Sequence, residues 1–372
     1  MALDREFQKV WWRVRSYFDF VVPKVAVYGP FVTGNLGDEA ALQAFAEISH
    51  CPPAIISSQT YCRIPSNLKA LYCGFGGSFN GDTPKQFAKY FSAVRKRRFP
   101  TMLISAGINR DYDCSDYAKY DDAFRSFLKL FDYISVRDEH TKALVKRLGF
   151  GDVDVIPDLA LTLGIDAPVS PAVRARKTVA VMLATHTGVV ADHRKKVYEI
   201  LAGALRELIE KDFRIVFVPF QNDTFSTKEK AVDEIEQAKQ FVRETGLTQV
   251  EILDRPMNAD EMLSYLLWNV SHVISMRLHG AVFAARCGLP SVILSYNEKH
   301  EAFAEMIGLP ETVVPMWGAG FTEETIVRCF DRVDREYAKI NGHLCARVAQ
   351  LRVQATETLT RALGEVKKGG HI

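Results

Sequence analysis

The chain has 372 residues, of which 48% are hydrophobic and 25% charged, with a formal net charge of only +2. That length favours two domains over one and lets the chain bury large cores without disulfides or a structural metal. The near-neutral balance gives no basic field for nucleic acid, and the seven cysteines, odd in number and without a CxxC pair, argue against a disulfide framework or zinc knuckle.

Residues 1–22 read as an amphipathic helix, with Phe7, Val10, Trp11, Val14 and Phe18 on one face and Arg5, Lys9, Arg13 and Arg15 around it. The first reading of that face is packing against its own protein or a second subunit, which would make a homo-oligomer. The second is a peripheral membrane contact at the inner face of the membrane, since aromatic and basic residues suit an interface. Early charges such as Asp4, Arg5 and Glu6 exclude a secretory leader, and no uncharged run reaches the roughly 18 residues of a membrane span. With the reduced thiols, this predicts a cytoplasmic protein.

Residues 23–165 alternate strands and helices. Lys24–Gly29 reads as a buried strand, Pro30–Asp38 (PFVTGNLGD) as a glycine-containing loop, and Glu39–Ile48 as a helix. Gly34 and Gly37 permit close approach of a ligand to the backbone. Asp38 suits a helix N-cap. The alternative is that Asn35 and Asp38 bind sugar hydroxyls, with Asp38 polarising the attacking one. Ala70–Tyr72 leads into Gly74–Gly77 (GFGG), where Gly76 and Gly77, with Ser78, Asn80 and Asp82 beyond, form a ligand loop or a plain turn. Thr101–Ala106 and Tyr133–Val136 are further strands. Arg137 and Asp138, at the end of the latter, are read as pairing with each other, and Asp158 as capping or bracing the cleft.

Residues 166–177, with Pro168 and Pro171, read as a linker. The alternation restarts over 178–320: strands at Thr178–Leu183, Arg214–Pro219, Val250–Leu253, His272–Met276 and Ser291–Ser295, helices at Arg194–Lys211, Lys228–Thr245 and Ala259–Trp268. Residues 321–372 are predicted to be helices with a polar tail. The fold class is therefore α/β, two Rossmann-like domains facing a cleft, with ligands beyond the carboxyl ends of the strands.

The densest unit is Ser275–Lys299 (SMRLHGAVFAARCGLPSVILSYNEK). A strand ends near Met276. Arg277, Leu278 and His279 occupy the turn, Gly280 lets the backbone tighten, and a helix covers Ala281–Cys287 with Gly288 as its stop. Free N–H groups at a helix start attract anions, Arg277 adds a planar fork for carboxylate or phosphate, and His279 can move a proton near neutral pH. Lys299 follows the next strand and can reach the same pocket. Separately each has a plain structural account. Arg and His two residues apart at a strand-to-helix turn backed by glycine point to an anion-binding active site. His186, after the first strand of the second half, also sits at a carboxyl end.

Together these residues resemble the polysaccharide pyruvyl transferase family. The matching marks are GNLGDE at Gly34–Glu39, Gly74–Gly77, SVRD at Ser135–Asp138, PDLAL at Pro157–Leu161, and above all RLHG at Arg277–Gly280 with Gly288–Pro290 and YNEK at Tyr296–Lys299. The resemblance implies a GT-B-like architecture, phosphoenolpyruvate as donor, no cofactor and no metal, and a ketal bridging two hydroxyls of a sugar, polysaccharide or lipid-linked oligosaccharide acceptor. It places Arg277 and His279 at the donor. The residues themselves add Leu278, Gly280 and Lys299 on the donor side and Gly34, Asn35, Gly37, Asp38, Gly76 and Gly77 on the acceptor side, with His279, Arg277 and Asp38 carrying the chemistry. One departure stands out: many relatives have an arginine just after the first strand of the second domain, where this chain has Leu183-Ala184-Thr185-His186. His186 is the candidate replacement at the donor phosphate. The competing readings are a nucleotide-sugar glycosyltransferase of the same architecture and a non-catalytic sugar-binding protein of that fold.

Overall fold

A computed structural model describes residues 25–29, 31, 34–50, 53–57, 68–74, 76–77, 79, 99–109, 117–164, 175–184, 190–191, 193–221 and 233–366. The amphipathic segment 1–22, His186, Ser78, Asn80, Asp82 and most of the 166–177 linker lie outside the described residues.

Unbroken apolar runs make the strands, because parallel strands covered by helices on both faces have no side for water. The first half contains β1 (Val25–Gly29), α1 (Leu36–Ser49), β2 (Ala54–Ser57), β3 (Ala70–Gly74), β4 (Thr101–Ala106), α2 (Asp121–Leu128), β5 (Tyr133–Val136), α3 (Glu139–Arg147) and β6 (Asp154–Val155), then a 3-10 turn at Leu159–Thr162. Its sheet is all parallel, in the order β2-β1-β3-β4-β5-β6. Side chains alternate faces with period two. Val27, Tyr72, Met102 and Ile104 enter one core, while Ala26, Tyr28, Leu71, Cys73 and Leu103 enter another with Phe124 and Phe127 of α2.

The second half contains β7 (Thr178–Met182), α4 (Arg194–Glu210), β8 (Arg214–Phe217), α5 (Glu234–Thr245), β9 (Val250–Ile252), α6 (Ala259–Asn269), β10 (His272–Ser275), α7 (Leu278–Arg286), β11 (Ser291–Ser295), α8 (Glu298–Met306), β12 (Val313–Pro315), α9 (Glu323–Arg335) and α10 (Tyr337–Val366). Its parallel sheet runs β12-β11-β10-β7-β8-β9, the doubly wound order read from its other edge. The expected pair of facing α/β sheets is present. Among the described residues no helix is long and apolar enough to cross a membrane.

The two halves share one core. The first-sheet face carrying Val27 and Tyr72 is continuous with the core of the second half. Helix α10 adds to it through Ile340, Leu344, Val348, Leu351, Ala355, Leu359 and Ala362, spaced three or four residues apart. It lies back on the first half, where Gln354 donates to the Val155 carbonyl at 3.1 Å and Arg361 meets Asp154 at 2.8 Å. Sequence patterning predicts helices here but carries no sign that the last one returns to the first sheet.

Candidate functional site

In each sheet the strand order reverses once: between β1 and β3 in the first, between β7 and β10 in the second. Neighbouring connections there leave to opposite faces and open a crevice at the carboxyl ends. The crevice residues of the first half are Gly34–Asp38 after β1 and Gly76 and Gly77 after β3. Those of the second are Leu183 and Ala184 after β7 and Met276–His279 after β10. The halves touch at this place. Leu36 N–H donates to the Phe220 carbonyl at 3.1 Å, and Asn35 forms an antiparallel bridge with Gln221.

Local sequence dictates the acceptor-side turn. Gly34 has φ +74°, a left-handed conformation that glycine adopts without strain. Asn35 then caps α1, its side-chain oxygen accepting from Gly37 N–H at 3.1 Å. The cap is thus Asn35 rather than Asp38, and the helix starts three residues before the predicted Glu39. Asp38 falls in the first turn with its carboxyl buried. A methyl on Gly76 would sit 3.3 Å from Asp38 Oδ1, so GFGG brings its backbone against that carboxylate. Gly77 fits closely against Asn109, where a methyl would lie 2.5 Å from Cβ.

On the other side, α7 begins at Leu278, so His279 belongs to its first turn rather than to the preceding loop. Arg277 is the cap residue, in extended conformation, and no side chain caps the helix. Gly280 is required for space rather than for tightening: a methyl there would lie 2.2 Å from Ser275 Oγ and 2.4 Å from Met182 Sδ. Gly288, at φ +68°, ends the helix as predicted. The Arg277 guanidinium is held by the buried Glu234 carboxylate, by Gln221 Oε1 at 3.0 Å and by the Leu183 carbonyl at 3.3 Å. Glu234 is oriented in turn by the N–H groups of Phe220 at 2.6 Å and Gln221 at 3.0 Å. Burial pushes its carboxyl above the ordinary value, against the pull of Arg277.

His279 joins the halves. A methyl at Gly37 would fall 1.9 Å from His279 Nδ1, so only a glycine lets α1 and α7 meet end to end. His279 Nε2 lies 3.3 Å from Asp158 Oδ2. Asp158 also caps the 3-10 turn through Ala160 N–H at 3.1 Å and stands 3.7 Å from Arg137 Nη1. The predicted pairing of Arg137 with Asp138 is present at 3.6 Å and extends to Asp158. Burial alone would raise the Asp158 carboxyl, but His279, Arg137 and the Ala160 N–H hold it below its ordinary value.

Lys299 lies in the first turn of α8, which Asn297 caps by accepting from Lys299 N–H at 3.2 Å. Its Nζ donates to Asn109 Oδ1 in the other half at 3.1 Å, and Asn297 Nδ2 reaches the same oxygen at 3.3 Å. Next to it, His300 is fully buried with Nδ1 2.9 Å from the Asn297 carbonyl and Nε2 3.1 Å from the Met276 carbonyl. Burial pushes that imidazole down to about 3, and a neutral ring, with a single N–H, donates to one of these two carbonyls and not to both.

Arg277, His279, Lys299, Asn35, Gly37, Asp38 and Gly76 therefore gather around one interface, with Gly77 beside Asn109. Sequence reasoning missed Glu234, Gln221, Asn109 and His300. Glu234 comes from a separate helix 43 residues before Arg277, and no local pattern signals such a partner. YNEKH does place a histidine next to the lysine, which was a readable sign. Among the described residues no group of three or more His, Cys, Asp or Glu could hold a metal ion.

Asp38 is the site's strained charge. Burial pushes its carboxyl up to about 6, His279, Lys299 and Arg277 countering and Asp158 adding to the rise. A folded value above the unfolded one means the penalty is absent below about pH 4 and complete as pH rises through about 6. Asp38→Asn is expected to stabilise the protein at pH 7.5 by on the order of 2–3 kcal/mol and by far less at pH 4. Urea unfolding at the two pH values checks this.

The family model for polysaccharide pyruvyl transferase matches residues 35–298, most of the chain. A comparison with curated proteins gives no match. Among solved structures, the chain is similar to UDP-GlcNAc 2-epimerase from Neisseria meningitidis bound to UDP-GlcNAc, at 11% identity and TM-score 0.53 over 94% of this chain and 100% of that one. It is also similar to a UGT transferase from Siraitia grosvenorii in complex with UDP, at 12% identity and TM-score 0.54, covering 93% and 100%. A third is the UDP-GlcNAc 2-epimerase of Methanocaldococcus jannaschii, at 12% and TM-score 0.52, covering 84% and 92%. These likenesses establish the fold, which is GT-B-like.

Proposed function

The chain belongs to the polysaccharide pyruvyl transferase family, and on that premise we propose that it moves a pyruvyl group from phosphoenolpyruvate to two hydroxyls of a sugar, closing a ketal and releasing phosphate. The acceptor is a polysaccharide or its lipid-linked precursor. One observation carries the reading: His279, next to Arg277 at the start of α7, meets Gly37 in the first turn of α1 across the interface of the two halves, and the buried Asp38 carboxyl feels the charges of both.

That arrangement suits an enol phosphate meeting an alcohol. Protonating the methylene carbon makes the neighbouring carbon cation-like. A sugar hydroxyl adds there and loses its proton, phosphate leaves with the C–O bonding pair, and a second hydroxyl closes the ring. Arg277 and Lys299 offer charge to the donor's carboxylate and phosphate, and Glu234 fixes the direction of the Arg277 fork. His279 exchanges the proton. Asp38, with a carboxyl balanced near neutrality, polarises the acceptor hydroxyl between the backbones of Gly37 and Gly76.

Thermal unfolding with added phosphoenolpyruvate tests the donor, because a ligand that binds only the folded state stabilises it, by about 2.7 kcal/mol at a hundred times Kd. The unfolding temperature is expected to rise with phosphoenolpyruvate and to stay put with UDP-sugars. Arg277→Lys keeps the charge and loses the fork, so its response shifts to higher concentration while the unliganded protein unfolds as before. Stabilisation by UDP-sugars alone would favour a nucleotide-sugar transferase instead.

A further inference from the structure

The two ring nitrogens of His279 have different neighbours. Nε2 faces Asp158 Oδ2 at 3.3 Å, within ion-pair distance when the ring is protonated. Both atoms are shut away from water, and neither finds a hydrogen-bond partner among the described residues. Nδ1 lies against Gly37 of the opposite half. Asp158 is 2% exposed and pinned: Ala160 N–H donates to Oδ1 at 3.1 Å, and Arg137 Nη1 stands 3.7 Å from Oδ2. A carboxylate held this firmly cannot follow the ring, so the ring must follow it.

We propose that Asp158 is a positioning residue for His279: it keeps one ring proton on Nε2 and leaves Nδ1 as the nitrogen that exchanges a proton across the cleft. This rests on the reading of His279 as the proton carrier. The exchange balances. Nδ1–H gives its proton to the donor's methylene carbon, whose π electrons form the new C–H bond. The acceptor oxygen bonds to the neighbouring carbon, and its proton passes to the vacated Nδ1. The ring is neutral between the two transfers and ends as it began, with Nε2–H facing the same carboxylate throughout.

Asp38 and Asp158 bear on the ring from the first half, with Arg137 behind Asp158 and with Arg277 and Lys299 in the same surroundings from the second. A substitution that changes only Asp158 separates its share from theirs. The measurement is nitrogen-15 NMR of the His279 ring in the full, unliganded chain across pH. The neutral wild-type ring is expected to carry its proton on Nε2. In Asp158→Asn the preference for Nε2–H should weaken to a mixture of the two tautomers, because the carboxylate that faces Nε2 is gone. Turnover should fall tenfold or more, with the KM for phosphoenolpyruvate moving far less, a split that a merely structural residue would not produce. A wild-type ring protonated on Nδ1, or an unchanged tautomer balance in folded Asp158→Asn, overturns the proposal. If that variant fails to fold, the wild-type tautomer still decides. The ring is read without donor or acceptor, so an error about phosphoenolpyruvate would leave this result standing.

Discussion

His279→Asn is expected to lower kcat by about 10²-fold or more while phosphoenolpyruvate binding survives in large part. Asparagine keeps a hydrogen-bonding group of similar reach but cannot pass a proton, and losing a general acid or base costs roughly that range. The ring stands at the meeting of α1 and α7, with Gly37 on one side and Asp158 on the other. Single-turnover kinetics at saturating donor, beside a binding titration, gives the two numbers. Weakened binding with unchanged turnover would make His279 a clamp, and the proton would have to come from another group.

The second large effect is on stability. Glu234→Ala is expected to cost about 3–5 kcal/mol, the range for breaking a buried ion pair by removing one partner. Glu234 is 2% exposed and the Arg277 side chain 12% exposed, so the guanidinium left behind would keep an uncompensated charge. The N–H groups of Phe220 and Gln221 would lose their acceptor as well. Equilibrium unfolding in urea, with the linear extrapolation compared between variants, measures the difference. A loss below about 1 kcal/mol would mean that Arg277 is held mainly by Gln221 and the Leu183 carbonyl.

What could be read beforehand was local. The strand at Ser291–Ser295, the stop at Gly288 and the grouping of Arg277 with His279 all follow from periodicity and turn chemistry within a dozen residues. The boundaries at α1 and α7 shifted for one reason. Asn35 and Arg277 take extended backbone conformations and the helices begin directly after them, whereas the glycines had suggested longer loops. Gly37 and Gly280 are there for space against His279 and against Ser275 with Met182, contacts that depend on how the chain folds back. Glu234 and Asn109 reach the site from other elements, so only the topology brings them in, whereas Asp158 after Pro157 was read as capping or bracing the cleft. Strand β2 was missed because four residues, AIIS, carry too little pattern to separate a strand from an apolar loop.

The most direct test of the transferase reading is mass spectrometry of the host's surface polysaccharide, comparing the intact strain, a strain lacking this protein, and that strain supplied with wild-type or His279→Asn protein. The account predicts that pyruvate ketals vanish with the protein, return with the wild type and stay absent with His279→Asn. Ketals unchanged in the strain lacking the protein would contradict it.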